Sequence, residues 1–157
     1  GAETLIDTFL LYSGHQVVDL KQMVVEVNVK KSMPLEEARE GARRKVVLAM
    51  LRGYLAVLVM GNAAPPLKSQ FATPDALPLA LLDQDKVQGC RGAGGDVPSS
   101  FAGKLGRAED PEKLLIVHED FNTVVVTKFA PEDYEAFLGE ELPLDKMQAI
   151  IVQGPSG

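Results

Sequence analysis

Apolar residues recur with helical spacing in two segments, at residues 3–14 and 33–53. In the longer segment, Pro34 suits the first turn of a helix, and Arg52 followed by Gly53 is typical of a helix end. The predicted apolar stripe of this segment consists of Leu35, Ala38, Ala42, Val46, Ala49 and Met50. The pattern therefore predicts a long amphipathic helix and a shorter one near the start of the chain.

Short apolar runs predict the strands. The run at 54–60 is continuously apolar, which is typical of a strand buried on both faces in a parallel sheet. Residues 23–29 are rich in valine and partly alternate between apolar and polar, so we expect another strand there. The remaining predicted strands are 16–20, 122–129 and 146–153.

Shorter helices are predicted at 76–82, 110–120 and 130–143. Residues 88–108 are rich in glycine, and we expect a flexible surface loop because ordering glycine is entropically costly. Since strands alternate with helices, we expect a single α/β domain over 1–157. The predicted architecture is a three-layer sandwich, with a mainly parallel sheet of four or five strands flanked by helices.

The composition narrows the classes of partner. The net charge is −6 and no long basic run is present, so we do not expect nucleic acid as a partner. The densest positive cluster, Arg43, Arg44 and Lys45, is predicted to be a solvated face. The apolar run at 54–60 is shorter than the roughly 20 residues of a membrane helix, so we expect no membrane span. The single cysteine, Cys90, favours a reducing, intracellular location, and we expect the cytoplasm.

Few side chains suggest catalytic or metal chemistry. With only two histidines, His15 and His118, a multi-histidine metal site is excluded, and we expect His118 to be a surface or capping residue. Asp19 follows a predicted buried strand, where α/β folds often place groups that bind ligands. The same position also suits a helix cap or a turn. We therefore assign no catalytic residue and no metal ligand.

The two ends of the chain carry parts of a phosphate-binding pattern. The last predicted strand runs into the segment Gly154, Pro155, Ser156 and Gly157. This segment resembles the opening of the loop G-x-x-x-x-G-K-[ST], whose backbone N–H groups bind phosphate. When the beginning of the chain is written after its end, Thr4 falls at the final position of this loop. Ala2 and Glu3 then stand where the pattern has its second glycine and its lysine.

Three interpretations of these ends stay open. The chain is a piece of a protein with tandem phosphate-loop domains, or a permuted domain whose ends meet at the loop. In the third interpretation, residues 154–157 are a flexible tail without a ligand.

Two longer segments resemble modules of AAA+ ATPases and, more loosely, the motor modules of dynein heavy chains. Residues 43–67 look like the helix and acidic-motif strand of that family, and 114–134 like its next strand, which ends in a polar sensor side chain. The family places an Asp-Glu pair at the end of the first strand, for Mg²⁺ and for the attacking water. This chain has Met60, Gly61 and Asn62 there. Thr127 or Lys128 stands at the sensor position.

The resemblance implies a degenerate nucleotide-binding module that is one unit of a larger ATPase, binds ATP or ADP with Mg²⁺, and does not hydrolyse nucleotide by itself. Its expected nucleotide-binding residues are Gly154, Pro155, Ser156, Gly157, Thr4, Asn62 and Thr127. The alternative is a non-catalytic α/β interaction domain. In that case its acidic surface or its glycine-rich segment would contact a protein partner or a neighbouring module.

Overall fold

A parallel sheet forms the centre of the computed structural model. The structure describes residues 14–61, 64–74, 76–90, 105, 117–130 and 132–148. Within this part of the chain, the strands are β1 (Gln16–Asp19), β2 (Leu55–Gly61) and β3 (Asn122–Thr127). They pair in the order β1-β2-β3, and both pairings are parallel. The α/β class and the parallel sheet are therefore confirmed, with three strands in the described residues.

Helices flank this sheet. In chain order they are α1 (Leu20–Val24), a first π-helix (Val25–Val29), α2 (Leu35–Arg52), a second π-helix (Leu67–Phe71), a 3₁₀ turn (Leu79–Leu82), α3 (Gln84–Cys90), α4 (Tyr134–Leu138) and a second 3₁₀ turn (Leu144–Lys146). Helix α2 packs against β1 and β2, and α3 lies against β3. Every helix that packs on the sheet buries apolar side chains against it, which gives one continuous core.

The central strand, β2, is the most deeply buried element. Ala56, Val57, Leu58 and Met60 are all at most 1% exposed, on both faces of the strand. This burial confirms the interpretation of 54–60 as a strand covered on both sides, because only a strand without a polar face can occupy that position.

Helix α2 confirms the predicted long helix. The stripe residues Ala38, Ala42, Val46, Ala49 and Met50 are buried, and Leu35 packs against the core from a half-buried position. The helix ends at Gly53, whose backbone is left-handed with φ of 75°. A Cβ at this glycine would clash with the His118 ring, so a larger residue is disfavoured there.

The predicted strand at 23–29 is wrong. Residues Met23 and Val24 end α1, and Val25–Val29 form the first π-helix, with the Lys30 N–H donating to the Val25 carbonyl at 2.8 Å. Asn28 also exchanges two amide hydrogen bonds with Gln70 of the second π-helix, at 2.9 and 2.8 Å. Tertiary contacts thus override the β propensity of the valines, because β propensity largely reflects packing on a sheet.

The shorter predicted elements need smaller corrections. The helix expected at 76–82 is only the 3₁₀ turn after Pro78, and within 110–120 the described residues 117–120 form a turn and not a helix. Helix α4 lies inside the predicted 130–143 and ends before Gly139, as expected. The predicted strand 146–153 does not begin at Lys146, which belongs to a 3₁₀ turn.

Other parts of these predictions fall outside the described residues. They are the helix at 3–14 up to residue 13, the segment 110–116, the strand residues 149–153, and most of the glycine-rich segment 88–108. Residues 88–90 of that segment belong to α3.

A buried charge corrects the prediction of a solvated basic face at 43–45. The Arg43 side chain is 3% exposed, and its guanidinium donates to both carboxylate oxygens of Glu40, at 2.9 and 2.6 Å. It also donates to the backbone carbonyl of Leu105 at 2.9 Å. Arg44 and Lys45 are exposed, as expected. The hydrogen bond from Arg43 is the main cause of the lowered pKa of Glu40, and the Arg44 guanidinium contributes to it.

We expect Val29→Ala to raise the free energy of unfolding by roughly 0.5 kcal/mol, because Val29 is 70% exposed and lies in a helical segment where alanine is preferred. Val124→Ala, on an exposed position of β3, is expected to lower it by a similar amount. Urea unfolding of both variants measures the two signs. A loss of stability in Val29→Ala would contradict the helical assignment of 25–29.

We expect Glu40→Gln to lower the free energy of unfolding by about 1–2 kcal/mol at pH 7, since the buried Arg43 loses its charged partner. A lowered carboxyl pKa stabilises the fold above the unfolded-state pKa, and this contribution disappears as the pH falls through the folded pKa. The difference between the wild type and Glu40→Gln should therefore shrink below about pH 4. Urea unfolding between pH 7 and pH 3 measures it.

The matched control is Glu36→Gln. Glu36 is 83% exposed and lies 3.9 Å from Arg39, so its removal should change stability by less than about 0.5 kcal/mol at any pH. Equal effects of the two substitutions would show that the buried guanidinium does not depend on Glu40.

Candidate functional site

The carboxyl ends of the three strands meet at one edge of the sheet, and we call this the carboxyl edge. It is formed by Asp19 at the end of β1, Gly61 at the end of β2 and Thr127 at the end of β3. In parallel α/β sheets, ligands bind outside the carboxyl ends of the strands, because the loops and helix starts converge there. This edge is therefore the candidate ligand-binding site of the sheet.

The end of β2 departs from regular strand geometry. Val59 pairs with Val126 and Gly61 pairs with Thr127, so Met60 is an extra residue on β2. Gly61 has a left-handed φ of 67°. Irregularities of this kind turn the chain and often lie beside functional sites. The Gly61 carbonyl accepts two hydrogen bonds, from the Lys128 N–H at 2.7 Å and from the Thr127 hydroxyl at 3.2 Å.

Two exposed lysines flank the end of β2. The side chain of Lys21, from the first turn of α1, lies across Gly61: a Cβ there would be 3.0 Å from its Cδ and 3.8 Å from its Nζ. Lys128 follows β3 directly and is held to Gly61 through its backbone N–H. The missing side chain of Gly61 is thus what lets the Lys21 side chain cross the strand end. The edge thus brings two lysines together with the Asp19 carboxylate, on a chain whose net charge is −6.

Asp19 caps α1. Its carboxylate accepts a hydrogen bond from the backbone N–H of Gln22 at 2.9 Å. Of the two roles that the sequence left open for this residue, the structure shows the capping role.

Thr127 is the one predicted nucleotide-binding residue that the structure describes, and it lies at the carboxyl edge. Its hydroxyl donates to the Gly61 carbonyl and accepts from the Phe129 N–H at 3.2 Å. The hydroxyl proton is therefore used within the protein, and the side chain ties the ends of β2 and β3 together. Its role as a sensor of nucleotide stays a prediction.

The other predicted binding residues fall outside the described part of the chain. They are Thr4, Asn62, Gly154, Pro155, Ser156 and Gly157. The meeting of the two chain ends at a phosphate loop therefore also stays a prediction.

A pair of stacked aromatic rings lies next to this edge, and the sequence analysis missed it. Phe129 is the second residue after β3, and its ring stacks on Phe137 of α4, with centroids 4.7 Å apart and an angle of 10° between the ring planes. Phe129 packs against the core, whereas Phe137 is 54% exposed. The two phenylalanines lie on different segments separated by a turn, so no pattern within one element indicated the contact.

Both histidines lie at the opposite, amino edge of the sheet. His15 Nδ1 accepts the N–H of Leu55, the first residue of β2, at 2.9 Å. His118 is exposed, as expected for a surface residue, and its Nδ1 accepts the Asp120 N–H at 3.0 Å within a turn. Among the described residues, no group of three or more His, Cys, Asp or Glu side chains is arranged to hold a metal ion. No helix in that part of the chain has the length and apolarity needed to cross a bilayer.

Two threonines on the same face of β3 give opposite predictions. We expect Thr127→Val to lower the free energy of unfolding by about 1–2 kcal/mol, because the Gly61 carbonyl and the Phe129 N–H each lose a partner. Thr123→Val should leave stability unchanged or raise it by up to about 1 kcal/mol, since its hydroxyl is buried without a partner among the described residues. Urea unfolding compares them, and equal effects would contradict the hydrogen-bond assignment at Thr127.

Comparison of the chain with protein-family models, with curated proteins and with solved structures gave no match. The resemblance to AAA+ modules is therefore neither supported nor opposed by a relative. The function has to be inferred from the chemistry of the carboxyl edge.

Proposed function

We propose that the protein is a nucleotide-binding module that holds the phosphate groups of ATP or ADP at the carboxyl edge of its sheet. The observation that carries this proposal is that the Lys21 side chain lies across Gly61 and that Lys128 follows the neighbouring end of β3 directly. Two lysines at neighbouring strand ends suit a phosphate chain, which needs positive charge.

Electrostatics favour an anion at this edge. An ammonium about 4 Å from a phosphate oxygen contributes roughly 1–4 kcal/mol, depending on how far water is excluded. The lysines are conspicuous because the whole chain is acidic, with a net charge of −6. A local positive region on an acidic surface attracts anions to one place and repels them elsewhere.

The predicted loop residues fit this proposal through their position in the chain. Asn62 follows Gly61, the last residue of β2, directly in the sequence. A fourth parallel strand within 149–153 would deliver residues 154–157 to the same edge, and a sheet of four or five strands is part of the proposal. Thr4 would join them if the beginning of the chain also reaches this edge.

Hydrolysis is not part of the proposal. The family that the chain resembles carries an Asp-Glu pair at the end of the strand in the segment 43–67, and this sequence has Met60, Gly61 and Asn62 there. Asp19, the acidic residue at the end of β1, is engaged as the cap of α1. We therefore propose binding without catalysis by this chain alone, as one module of a larger assembly.

Thermal unfolding with and without millimolar ATP or ADP, each with and without Mg²⁺, tests the proposal. A ligand at one hundred times its Kd stabilises the native state by about 2.7 kcal/mol, which corresponds to a midpoint raised by about 5–10 °C for a chain of this length. The double variant Lys21→Gln/Lys128→Gln should lose most of this shift, with affinity lowered at least about tenfold.

The control variant is Lys30→Gln/Lys31→Gln, which removes the same charge from an exposed lysine pair beyond the first π-helix. It should keep the full shift. No shift with either nucleotide, in the presence or absence of Mg²⁺, would overturn the proposal. Equal losses in both double variants would show that binding follows net charge and not the carboxyl edge.

One observation favours the alternative, an interaction domain for a protein partner. A groove of about 470 Å³ lies between α2 and the segment formed by α1 and the first π-helix. Its apolar lining consists of Val18, Met23, Met33, Ala38, Gly41 and Ala42. A Cβ at Gly41 would contact nothing within 4 Å, so side chains of a partner have room above this turn of α2. Absence of any nucleotide effect would favour this alternative.

A further inference from the structure

We infer that Phe137, supported by Phe129, is the platform on which the base of the nucleotide stacks; this inference rests on the proposed function. It makes the ligand a nucleoside phosphate, whereas the lysines alone would accept any polyphosphate. The structural basis is the position of an exposed, rigidly backed aromatic ring directly beside the phosphate-binding edge.

The chain itself links the ring pair to the edge. Phe129 is the residue after Lys128, and its N–H donates to the Thr127 hydroxyl that is bonded to Gly61. Its ring packs against the core, so its position is fixed from the inside. Phe137 lies parallel to it at 4.7 Å, which extends the fixed surface outward. A ring held in this way loses little conformational freedom when a base stacks on it.

Phe137 is not needed to attach α4 to the protein. The other large apolar residues of this helix do that: Leu138 is 1% exposed, and Tyr134 packs against the core from a half-buried position. Phe137 is nevertheless 54% exposed, so half of a large apolar side chain remains in water. The stack with Phe129 leaves this surface open for a flat ligand.

The charges near the platform determine the orientation in which a nucleotide binds. Four exposed acidic residues lie close to Phe137 in the sequence, on and beside α4: Glu132, Asp133, Glu135 and Glu140. They repel phosphate but not an uncharged base. Lys128 directly precedes Phe129, and the Lys21 side chain lies across Gly61. Both lysines attract phosphate. A nucleotide therefore binds with its base toward Phe137 and its phosphates toward Gly61, and the reverse orientation is opposed at both ends.

Calorimetric titration with ATP and with inorganic tripolyphosphate separates the base from the phosphates. For the wild type we expect ATP to bind at least about fivefold more tightly, which is the lower end of what one base stacked on an aromatic side chain contributes. Phe137→Ala should lose this preference and leave tripolyphosphate binding unchanged. Urea unfolding of the variant establishes that it is folded, and Leu51→Ala is the matched control, because Leu51 is 51% exposed near the C-terminal end of α2.

A second variant gives a direct optical readout. The chain contains no tryptophan, so Phe137→Trp creates a protein with a single indole at the platform. This variant should keep the preference for ATP, and its fluorescence should be quenched by ATP but not by tripolyphosphate, since only the base can stack on the ring.

The outcomes distinguish this inference from the proposed function. Equal affinity of the wild type for ATP and tripolyphosphate, unchanged in Phe137→Ala, would overturn the inference and leave phosphate binding at the lysines intact. A wild type that binds neither ligand would overturn the proposed function, and the inference with it. A preference for ATP that survives in Phe137→Ala would place the base elsewhere and also overturn the inference.

Discussion

The pairing of β2 with a parallel strand on each side is the constraint on which the rest of the structure depends. Its buried residues Ala56, Val57 and Leu58 are each in register with β1 on one side and β3 on the other. A strand in this position can bury only apolar side chains, and helices have to cover both of its faces. The same constraint brings all three strand ends to one edge, because parallel strands share their direction.

That edge inherits its form from the way β2 ends. The extra residue Met60 stays buried at 0% exposure, so the change in register is absorbed by the backbone at Gly61. The Gly61 carbonyl accepts hydrogen bonds from the Thr127 hydroxyl and the Lys128 N–H at the end of β3. The Lys21 side chain crosses Gly61 at the place where a Cβ would be. The buried Gly61 therefore joins the ends of β2 and β3, and the Lys21 side chain lies across it.

The predictable elements were those whose local pattern agrees with their tertiary role. The run at 54–60 and the stripe of α2 have one periodicity and clear boundaries, so burial and sequence give the same answer. The strand predicted at 23–29 is wrong because its valines favour a strand, whereas the Asp19 cap and the amide hydrogen bonds between Asn28 and Gln70 stabilise a helical segment. The prediction of a solvated Arg43 failed because a short window of sequence shows neither its burial nor its hydrogen bond to the Leu105 carbonyl.

The candidate site was predictable only in part, for the same reason. Thr127 and Lys128 end a recognisable strand, so their place at the carboxyl edge followed from the sequence. Lys21 reaches this edge because its side chain crosses Gly61, which is distant in the chain, and Phe137 reaches it through a ring stack between neighbouring segments. Patterns of spacing do not encode such contacts, because they depend on how the elements pack.

The charge at the carboxyl edge comes from side chains and not from a helix dipole. In phosphate loops, the N–H groups at the start of a long helix point at the anion. Here α1 has five residues before it becomes a π-helix, and Asp19 already accepts the Gln22 N–H at its start. A short helix with an engaged cap contributes little positive potential beyond its first turn. Under the proposed function, an anion at this edge is attracted by the ammonium groups of Lys21 and Lys128, and this attraction weakens with added salt.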